Sequence, residues 1–184
     1  MKKLALVVAA LALALPAQAK KVANVEFADT ADVGGQTLKL NGAGIRKKFV
    51  IKVYAGGLYL AAPSADGVAI VEADAPRLVR MVFLRDVSKK QILDAYKEGF
   101  EKNSKGPGLA ALVADLDKLA PAMADMKEGG EMTVSYVPGQ GTTVAAAGGG
   151  SVTVPGKEFA DALLRNWLGK EPADGGLKDA MLGK

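Results

Sequence analysis

The alternation of apolar and polar residues predicts strands near both ends of the chain, with helices between them and at the C-terminal end. Side chains alternate with period two along a strand, whereas apolar residues three and four apart indicate an amphipathic helix. Strands are predicted over residues 22–27, 37–41, 45–60, 77–85, 131–137, 142–146 and 151–154. Helices are predicted over residues 68–73, 88–100, 109–123, 157–168 and 175–182.

Turn and capping residues mark several ends of these elements. Ser88 with Gln91 three positions later forms a capping box, and Gly169 is placed to end the helix before it. Asn41 to Gly44 has the composition of a turn, which we expect to let two backbones approach closely. Pro121 is expected to disturb the helix predicted around it.

The order of the elements determines the predicted fold class. Turns of hairpin length join the last three strands, which favours an antiparallel meander. The helices are grouped rather than alternating regularly with strands, and no internal repeat is visible. The predicted class is therefore α+β, with helices laid against an antiparallel sheet in one domain.

The N-terminal segment has the layout of a secretory signal peptide. Lys2 and Lys3 precede an apolar run over residues 4–15, Pro16 follows, and an Ala-x-Ala site ends at Ala19. The run is shorter than the ~20 residues that a membrane span needs, although an uncleaved anchor is the alternative. We predict a signal peptide over residues 1–19, a domain over residues 20–184, and a periplasmic or secreted protein without an integral span after cleavage.

Composition excludes several kinds of chemistry. The 184 residues include no cysteine and no histidine, which excludes disulfides, thiolate nucleophiles, histidine triads and histidine-ligated metals. The segment to be cleaved carries two of the 24 basic residues, so the mature chain has 22 against 20 acidic ones. Its basic residues form no stripe with interleaved aromatics, so nucleic acid is not an expected partner. No metal site or cofactor is predicted.

Arg46 and Tyr54 are the candidate binding residues from the pattern alone. Their spacing of eight puts both on one face of the long strand predicted over residues 45–60, which only Gly56-Gly57 interrupts with a bulge or bend. A guanidinium and a phenol on one face of a curved sheet can together hold a carboxylate or a phenolate. The alternative is an ordinary surface arginine and a tyrosine at the rim of the core.

Four blocks of sequence resemble the chalcone isomerase superfamily, in particular its secreted bacterial chalcone isomerase-like branch. They are LNGAGIR at residues 40–46, VYAGGLYL at 53–60, FLRDVS at 83–88 and LLRNWLG at 163–169. The resemblance covers nearly the whole mature chain. It implies an open-faced β-sandwich, in which helices cover a long curved antiparallel sheet and an apolar ligand cleft lies between the layers.

The resemblance also implies two kinds of activity. Plant members cyclise chalcones to flavanones without a cofactor, and related non-catalytic members bind fatty acids through an arginine and a tyrosine. The arginine of the Gly-Ala-Gly-x-Arg motif matches Arg46, and Tyr54 resembles the fatty-acid-binding branch, because the enzymes have threonine there. The tyrosine and asparagine of the enzymes fall on Ile92 and Gly99, which cannot replace them. Tyr96, one helical turn after Ile92, is a possible substitute.

Three hypotheses follow for the function. The first is a secreted, non-catalytic protein that binds a small hydrophobic anion such as a fatty acid, with Arg46, Tyr54 and Tyr96 as ligand-binding residues. The second is a cofactor-free isomerase, or intramolecular lyase, acting on a small phenolic or enone substrate. The third is an interaction protein whose cleft is vestigial. The sequence leaves the oligomeric state and the presence of catalysis open.

Overall fold

Seven antiparallel strands form one sheet in which every strand pairs with its neighbours in sequence, from β3 at one edge to β9 at the other. The computed structural model describes residues 19–106 and 108–184, so the predicted signal peptide lies outside the described residues except for Ala19. The strands are β1 Lys20–Val22, β2 Val25–Phe27, β3 Thr30–Val33, β4 Gln36–Lys48, β5 Ile51–Leu60, β6 Arg77–Phe83, β7 Glu131–Val137, β8 Gly141–Ala146 and β9 Ser151–Val154. The sheet curls so far that Gly34, in the turn between β3 and β4, lies against the side chain of Val137 in β7.

Five helices and one 3₁₀ turn accompany the sheet. They are α1 Gly67–Glu72, α2 Lys89–Asn103, α3 Leu109–Asp117, the 3₁₀ turn Ala120–Ala122, α4 Lys157–Leu168 and α5 Gly175–Met181. The larger hydrophobic core lies between these helices and one face of the sheet. The hairpin of β1 and β2 covers part of the opposite face, where Phe27, Leu38 and Tyr59 belong to a smaller core. The α+β class and the curved sheet covered by helices are confirmed.

Local signals in the sequence explain the two helices that matter for the site. α2 begins at the predicted capping box, in which the Ser88 hydroxyl accepts from the Gln91 backbone N–H and the Gln91 side chain accepts from the Ser88 N–H. α4 buries nine of its residues and ends at Gly169, as predicted. Among the described residues, no helix is long and apolar enough to cross a membrane.

Two predicted elements near the N-terminus are wrong. Residues 22–27 form parts of two strands rather than one, because Ala23 and Asn24 take positive φ angles of 47° and 65° and reverse the chain. The predicted turn from Asn41 to Gly44 lies inside β4. The expected close approach does occur there, because a Cβ on Gly42 would overlap the carbonyl oxygen of Ala180 in α5.

The long strand predicted over residues 45–60 is instead a hairpin. β4 ends at Lys48, β5 begins at Ile51, and Phe49 and Val50 form the two-residue connection. Gly56-Gly57 lies in regular pairing, so the bulge or bend predicted there is wrong. The register shifts of β4 fall instead between Leu40 and Gly42 and between Arg46 and Lys47.

Two other elements are shorter than predicted. The strand predicted to reach Arg85 ends at Phe83. The helix predicted over residues 109–123 ends at Asp117, and a 3₁₀ turn containing Pro121 follows. Proline has no N–H for an α-helical hydrogen bond, which accounts for the early end.

Candidate functional site

Arg46 in β4 and Tyr54 in β5 are direct cross-strand partners. The prediction that they share one face of the sheet is therefore correct, although its reason is wrong, because they lie on two strands rather than one. Residues opposite each other in an antiparallel pair project to the same side. The Arg46 guanidinium carbon lies 5.6 Å from the centroid of the Tyr54 ring, within the range of a cation–π interaction.

Asp174 fixes the backbone beside Arg46. Its Oδ2 accepts from the Lys47 N–H at 2.6 Å, and its Oδ1 caps α5 by accepting from the Leu177 N–H at 2.9 Å. The register of β4 and β5 shifts between Arg46 and Lys47. The cap of α5 and this irregularity in the strand pairing therefore both adjoin Arg46.

A narrow apolar cavity, which we call the inner slot, opens beside Arg46 and Tyr54 and measures about 40 Å³. The sheet contributes one wall, α2 a second and α4 a third. Its lining residues are Arg46, Val53, Tyr54, Met81, Phe83, Val87, Gln91, Ile92, Ala95, Tyr96, Met132, Asn166, Trp167 and Ala173. The slot thus brings together the three predicted site residues Arg46, Tyr54 and Tyr96.

Trp167 on α4 donates a hydrogen bond to the Tyr54 hydroxyl, which leaves the Tyr54 proton free for another partner. Its indole Nε1–H donates to the Tyr54 hydroxyl at 2.8 Å. An indole N–H can only donate, so the tyrosine oxygen is the acceptor and its own proton is not used in this bond. Burial raises the pKa of Tyr54, although the Arg46 charge acts in the opposite direction. Tyr54 is therefore a neutral hydrogen-bond donor at pH 7.

The Tyr96 hydroxyl is a second donor in the slot. Its oxygen is buried and has no hydrogen-bond partner among the described residues. Burial raises the pKa of Tyr96 well above its ordinary value. The ring is held edge-on to Trp167, with 5.9 Å between the centroids. Tyr96 therefore stays protonated and fixed in place, with a proton that nothing else in the described structure accepts.

Arg46 is the third donor at the slot, after Tyr54 and Tyr96. Its buried Nε has no partner, and it forms no ion pair with the described residues. Other arginines of the sheet do pair, since Arg77 contacts Asp161 at 2.7 Å and Arg80 contacts Glu131 at 2.7 Å. No aspartate or glutamate is among the described residues that line the slot. A group that offers only acceptors, above all an anion, would complement this lining.

Gly99 and Asn166 explain one departure from the family's enzymes. A Cβ on Gly99 would overlap Oδ1 of Asn166, so the amide of α4 occupies the space where a side chain at 99 would lie. The Asn166 amide nitrogen donates to the Leu163 carbonyl at 2.9 Å and is held in place. Ile92 lines the slot as an apolar wall. Neither position provides the tyrosine or asparagine of the enzymes, as the sequence predicts.

A wider and more polar depression, which we call the outer basin, adjoins the slot and measures about 320 Å³. Arg46, Gln91, Ala95, Asn166 and Ala173 line both spaces, so the two lie side by side. Charged residues of both signs surround the basin, namely Lys47, Lys48, Asp94, Glu98, Lys102 and Glu171. A charged depression therefore lies beside a narrow apolar slot.

Sequence reasoning missed Gln91, Asn166 and Trp167 as lining residues of the slot. The sequence pattern indicates a role for Gln91 only in the helix cap. Asn166 and Trp167 are adjacent on α4 and stand in one of the blocks that carry the family resemblance, which was the available signal. No group of three or more metal-binding side chains occurs in the part of the chain that the structure describes.

Comparison with known proteins shows the family and the fold of the chain. A family profile described as chalcone isomerase-like matches residues 19–183. The chain belongs to the chalcone isomerase-like family. Among solved structures, a fatty-acid binding protein of Arabidopsis thaliana has a similar fold, with a TM-score of 0.63 and 18% sequence identity over 90% of this chain and 96% of that one. No curated protein sequence matches the chain significantly.

Proposed function

We propose that this chalcone isomerase-like protein binds an amphipathic carboxylate, such as a fatty acid, without transforming it. The observation that carries the proposal is the set of donors that meet at the inner slot: Arg46, Tyr54 and Tyr96 have protons to donate, and no carboxylate lies among the described lining residues to accept them. A carboxylate is the complementary group, because it offers acceptors only and carries a charge opposite to that of the guanidinium. The similar Arabidopsis structure, a fatty-acid binding protein, is consistent with this ligand class.

The carboxylate contacts Arg46 and Tyr54, and the Tyr96 hydroxyl completes the site. An unpaired buried donor destabilises a protein by about 1–3 kcal/mol, which the ligand relieves. The Trp167 hydrogen bond strengthens this arrangement, because it fixes the Tyr54 oxygen as an acceptor from the indole and leaves its proton for the ligand. The three donors come from both layers, so the ligand bridges the sheet and α2.

The tail enters the apolar part of the slot. At about 40 Å³ the slot is much smaller than the several hundred Å³ of an ordinary ligand pocket, so a long tail has to displace side chains. Met81 and Met132 line it, and unbranched methionine side chains repack more readily than other apolar side chains. Binding is therefore coupled to a change in packing between the sheet and α2.

Titration of the purified protein with saturated fatty acids of increasing length tests the proposal. We expect saturable binding by the wild-type protein and its loss in Arg46→Ala. Arg85→Ala is the matched control, because Arg85 is exposed and lines neither the slot nor the basin. Equal affinities for wild type and Arg46→Ala would contradict the role of Arg46. An absence of any binding by wild type would favour the interaction protein with a vestigial cleft, which the small slot also fits.

A chalcone assay separates the binding protein from the isomerase. The enzyme alternative requires proton transfer, for which the Tyr96 hydroxyl, one helical turn from Ile92, is the candidate group. We expect the visible absorbance of a chalcone to decay at the spontaneous rate in the presence of the protein. A protein-dependent acceleration that Tyr96→Phe abolishes would favour the isomerase.

We also propose that the protein works outside the cytoplasm, after cleavage behind Ala19. The charged start, apolar run and Ala-x-Ala site support this location. The family match starts at residue 19 and β1 starts at Lys20, so the proposed cleavage falls before the first described strand. The intact mass of the protein from its native host should correspond to a chain that starts at Lys20. A mass that includes residues 1–19 would favour the uncleaved anchor.

A further inference from the structure

The connection between β4 and β5 exposes large apolar side chains. Phe49 is 91% exposed, Val50 is 92% exposed, and Ile51, which follows them, is 45% exposed. We call these three residues the apolar tip. Single exposed apolar residues are common, but three in succession at the end of a hairpin form a contiguous projection. They contribute nothing to either hydrophobic core.

The backbone of the tip is also strained at Phe49. Phe49 has a φ of 57°, a left-handed conformation that is rare for a bulky residue, whereas Val50 does not. A two-residue hairpin with positive φ at its first central position strongly favours glycine there. The chain thus places a phenylalanine where glycine would relieve strain and would also remove exposed apolar surface. Strain that the fold does not need is a reason to look for a function of that side chain.

Three lysines flank the tip. Lys47, Lys48 and Lys52 are exposed, and none forms an ion pair with the described residues. The acidic residues across the outer basin are partly neutralised, because Asp94 pairs with Lys90 and Glu98 pairs with Lys102. The end of the hairpin is therefore an apolar projection flanked by three positive charges that are unpaired among the described residues. We call Lys47, Lys48 and Lys52 the lysine collar.

We propose that the apolar tip and its three lysines dock the protein on an anionic lipid bilayer. Apolar side chains enter the boundary between headgroups and acyl chains, and lysines contact anionic headgroups while their stems lie along the apolar region. A second copy of this chain fits less well, because two lysine collars would repel each other. The charge of the collar selects an anionic surface rather than a neutral one.

Docking would place the outer basin at the bilayer surface. Lys47, Lys48 and Phe49 line that basin, and the basin shares five lining residues with the inner slot. An amphipathic molecule that left the bilayer beside the tip would meet the entrance of the slot directly. The docking itself does not require the proposed function, because it depends only on the tip and its collar.

A tryptophan placed at the tip tests the proposal locally. Phe49→Trp is mixed with vesicles of phosphatidylcholine and phosphatidylglycerol, and in parallel with vesicles of phosphatidylcholine alone. We expect a blue shift of emission and quenching by brominated lipid with the anionic vesicles only. The wild-type emission, which comes from the buried Trp167, is subtracted. Because the reporter is at residue 49, lipid contact elsewhere in the chain leaves its signal unchanged.

Two matched controls accompany this variant. Val68→Trp puts the reporter at another exposed apolar side chain, on α1, which follows the opposite end of β5. We expect no blue shift there. Replacement of Lys47, Lys48 and Lys52 by glutamine should weaken vesicle binding by about a hundredfold, because each lysine near an anionic surface contributes about fivefold. The same change at Lys39, Lys97 and Lys105, which are also exposed and unpaired among the described residues, should have a much smaller effect.

Three results would overturn the proposal. The first is a Phe49→Trp spectrum that does not change with anionic vesicles. The second is equal quenching at residues 49 and 68. The third is a blue shift without vesicles that grows with protein concentration, which would show that the tip mediates self-association instead. Titration of the wild-type protein with fatty acid in the absence of vesicles tests the binding function separately, so the failure of one proposal is distinguishable from the failure of the other.

Discussion

The indole N–H of Trp167 donates to the hydroxyl of Tyr54 at 2.8 Å, and this bond joins α4 to β5 at the inner slot. Both side chains are buried. Two layers of the fold are therefore joined by a polar contact at the position where we propose that the ligand binds. The same bond stabilises the core and orients a binding residue.

Tyr54→Phe should affect both stability and binding. It leaves the Trp167 N–H buried without an acceptor, so we expect a loss of about 1–3 kcal/mol in the free energy of unfolding, measured by urea denaturation. Fatty-acid affinity should fall as well. The control is Tyr59→Phe, five residues along the same strand but in the smaller core on the other face. Equal losses of affinity in the two variants would show that the Tyr54 hydroxyl has no special role.

Tyr96→Phe should have opposite effects on stability and binding. The Tyr96 hydroxyl is buried without a partner among the described residues, so its removal should stabilise the ligand-free protein by about 1 kcal/mol. Fatty-acid affinity should decrease, because a donor is lost. A destabilised variant with unchanged affinity would mean that the hydroxyl serves the core and not the ligand.

The stability advantage of Tyr96→Phe over the wild type should increase as the pH rises above about 10. Burial raises the pKa of Tyr96 well above its ordinary value, so above about pH 10 the unfolded chain loses a proton that the folded protein keeps. The free energy of unfolding of the wild type should therefore fall by up to about 1.4 kcal/mol per pH unit from this group. The variant lacks this contribution. Parallel pH profiles for the two proteins above pH 10 would contradict the assignment.

The effect of Gly99→Ala on stability should be unfavourable in the wild type and favourable when Asn166 is replaced by alanine. In the wild type a Cβ at Gly99 overlaps the Asn166 amide, which is buried and hydrogen bonded, so the substitution should destabilise the protein by about 1–3 kcal/mol. In the Asn166→Ala background the clash is absent. There the higher helix propensity of alanine should stabilise the protein by up to about 1 kcal/mol. A double-mutant cycle with no coupling would show that the two side-chain positions do not compete for space.

Gly42→Ala should destabilise the protein by disturbing the packing of α5 on the sheet. The new methyl group would meet the Ala180 carbonyl, which is backbone and cannot rotate away, so a loss of at least about 2 kcal/mol is expected. Gly175→Ala is the control, since nothing lies within 4 Å of a Cβ at that residue. It should leave stability unchanged or raise it slightly. Thermal unfolding of both variants gives the comparison.

The sequence predicts well the elements whose ends carry their own chemistry. The Ser88–Gln91 box starts α2 and Gly169 ends α4, because the capping hydrogen bonds and backbone conformations involve residues next to each other in sequence. The meander of β7 to β9 also follows from local turns. The fold class therefore depends on information that is present in short segments of the chain.

The errors come from positions where tertiary contacts outweigh local preference. Gly42 and Gly44 look like turn residues, but they lie in a strand because α5 packs closely on them. Phe49 and Val50 are typical strand residues, so nothing local indicates that they form a turn. Arg46 and Tyr54 could be named from the resemblance, but the participation of Asn166 and Trp167 depends on how α4 docks, which no local pattern specifies.

The order of the sheet has a consequence for how the protein folds. Every pair in the series β3 to β9 joins strands that follow each other in the chain, so most pairing closes short loops at small entropic cost. The pair of β6 and β7 closes the longest loop, because α2 and α3 lie between these strands in sequence, whereas α1 alone lies between β5 and β6. Contacts distant in sequence slow folding, so among the strand pairs of the sheet we expect the joining of these two to be the slowest. The segment that separates them also provides the α2 wall of the inner slot, so the slot forms only when this slow step is complete.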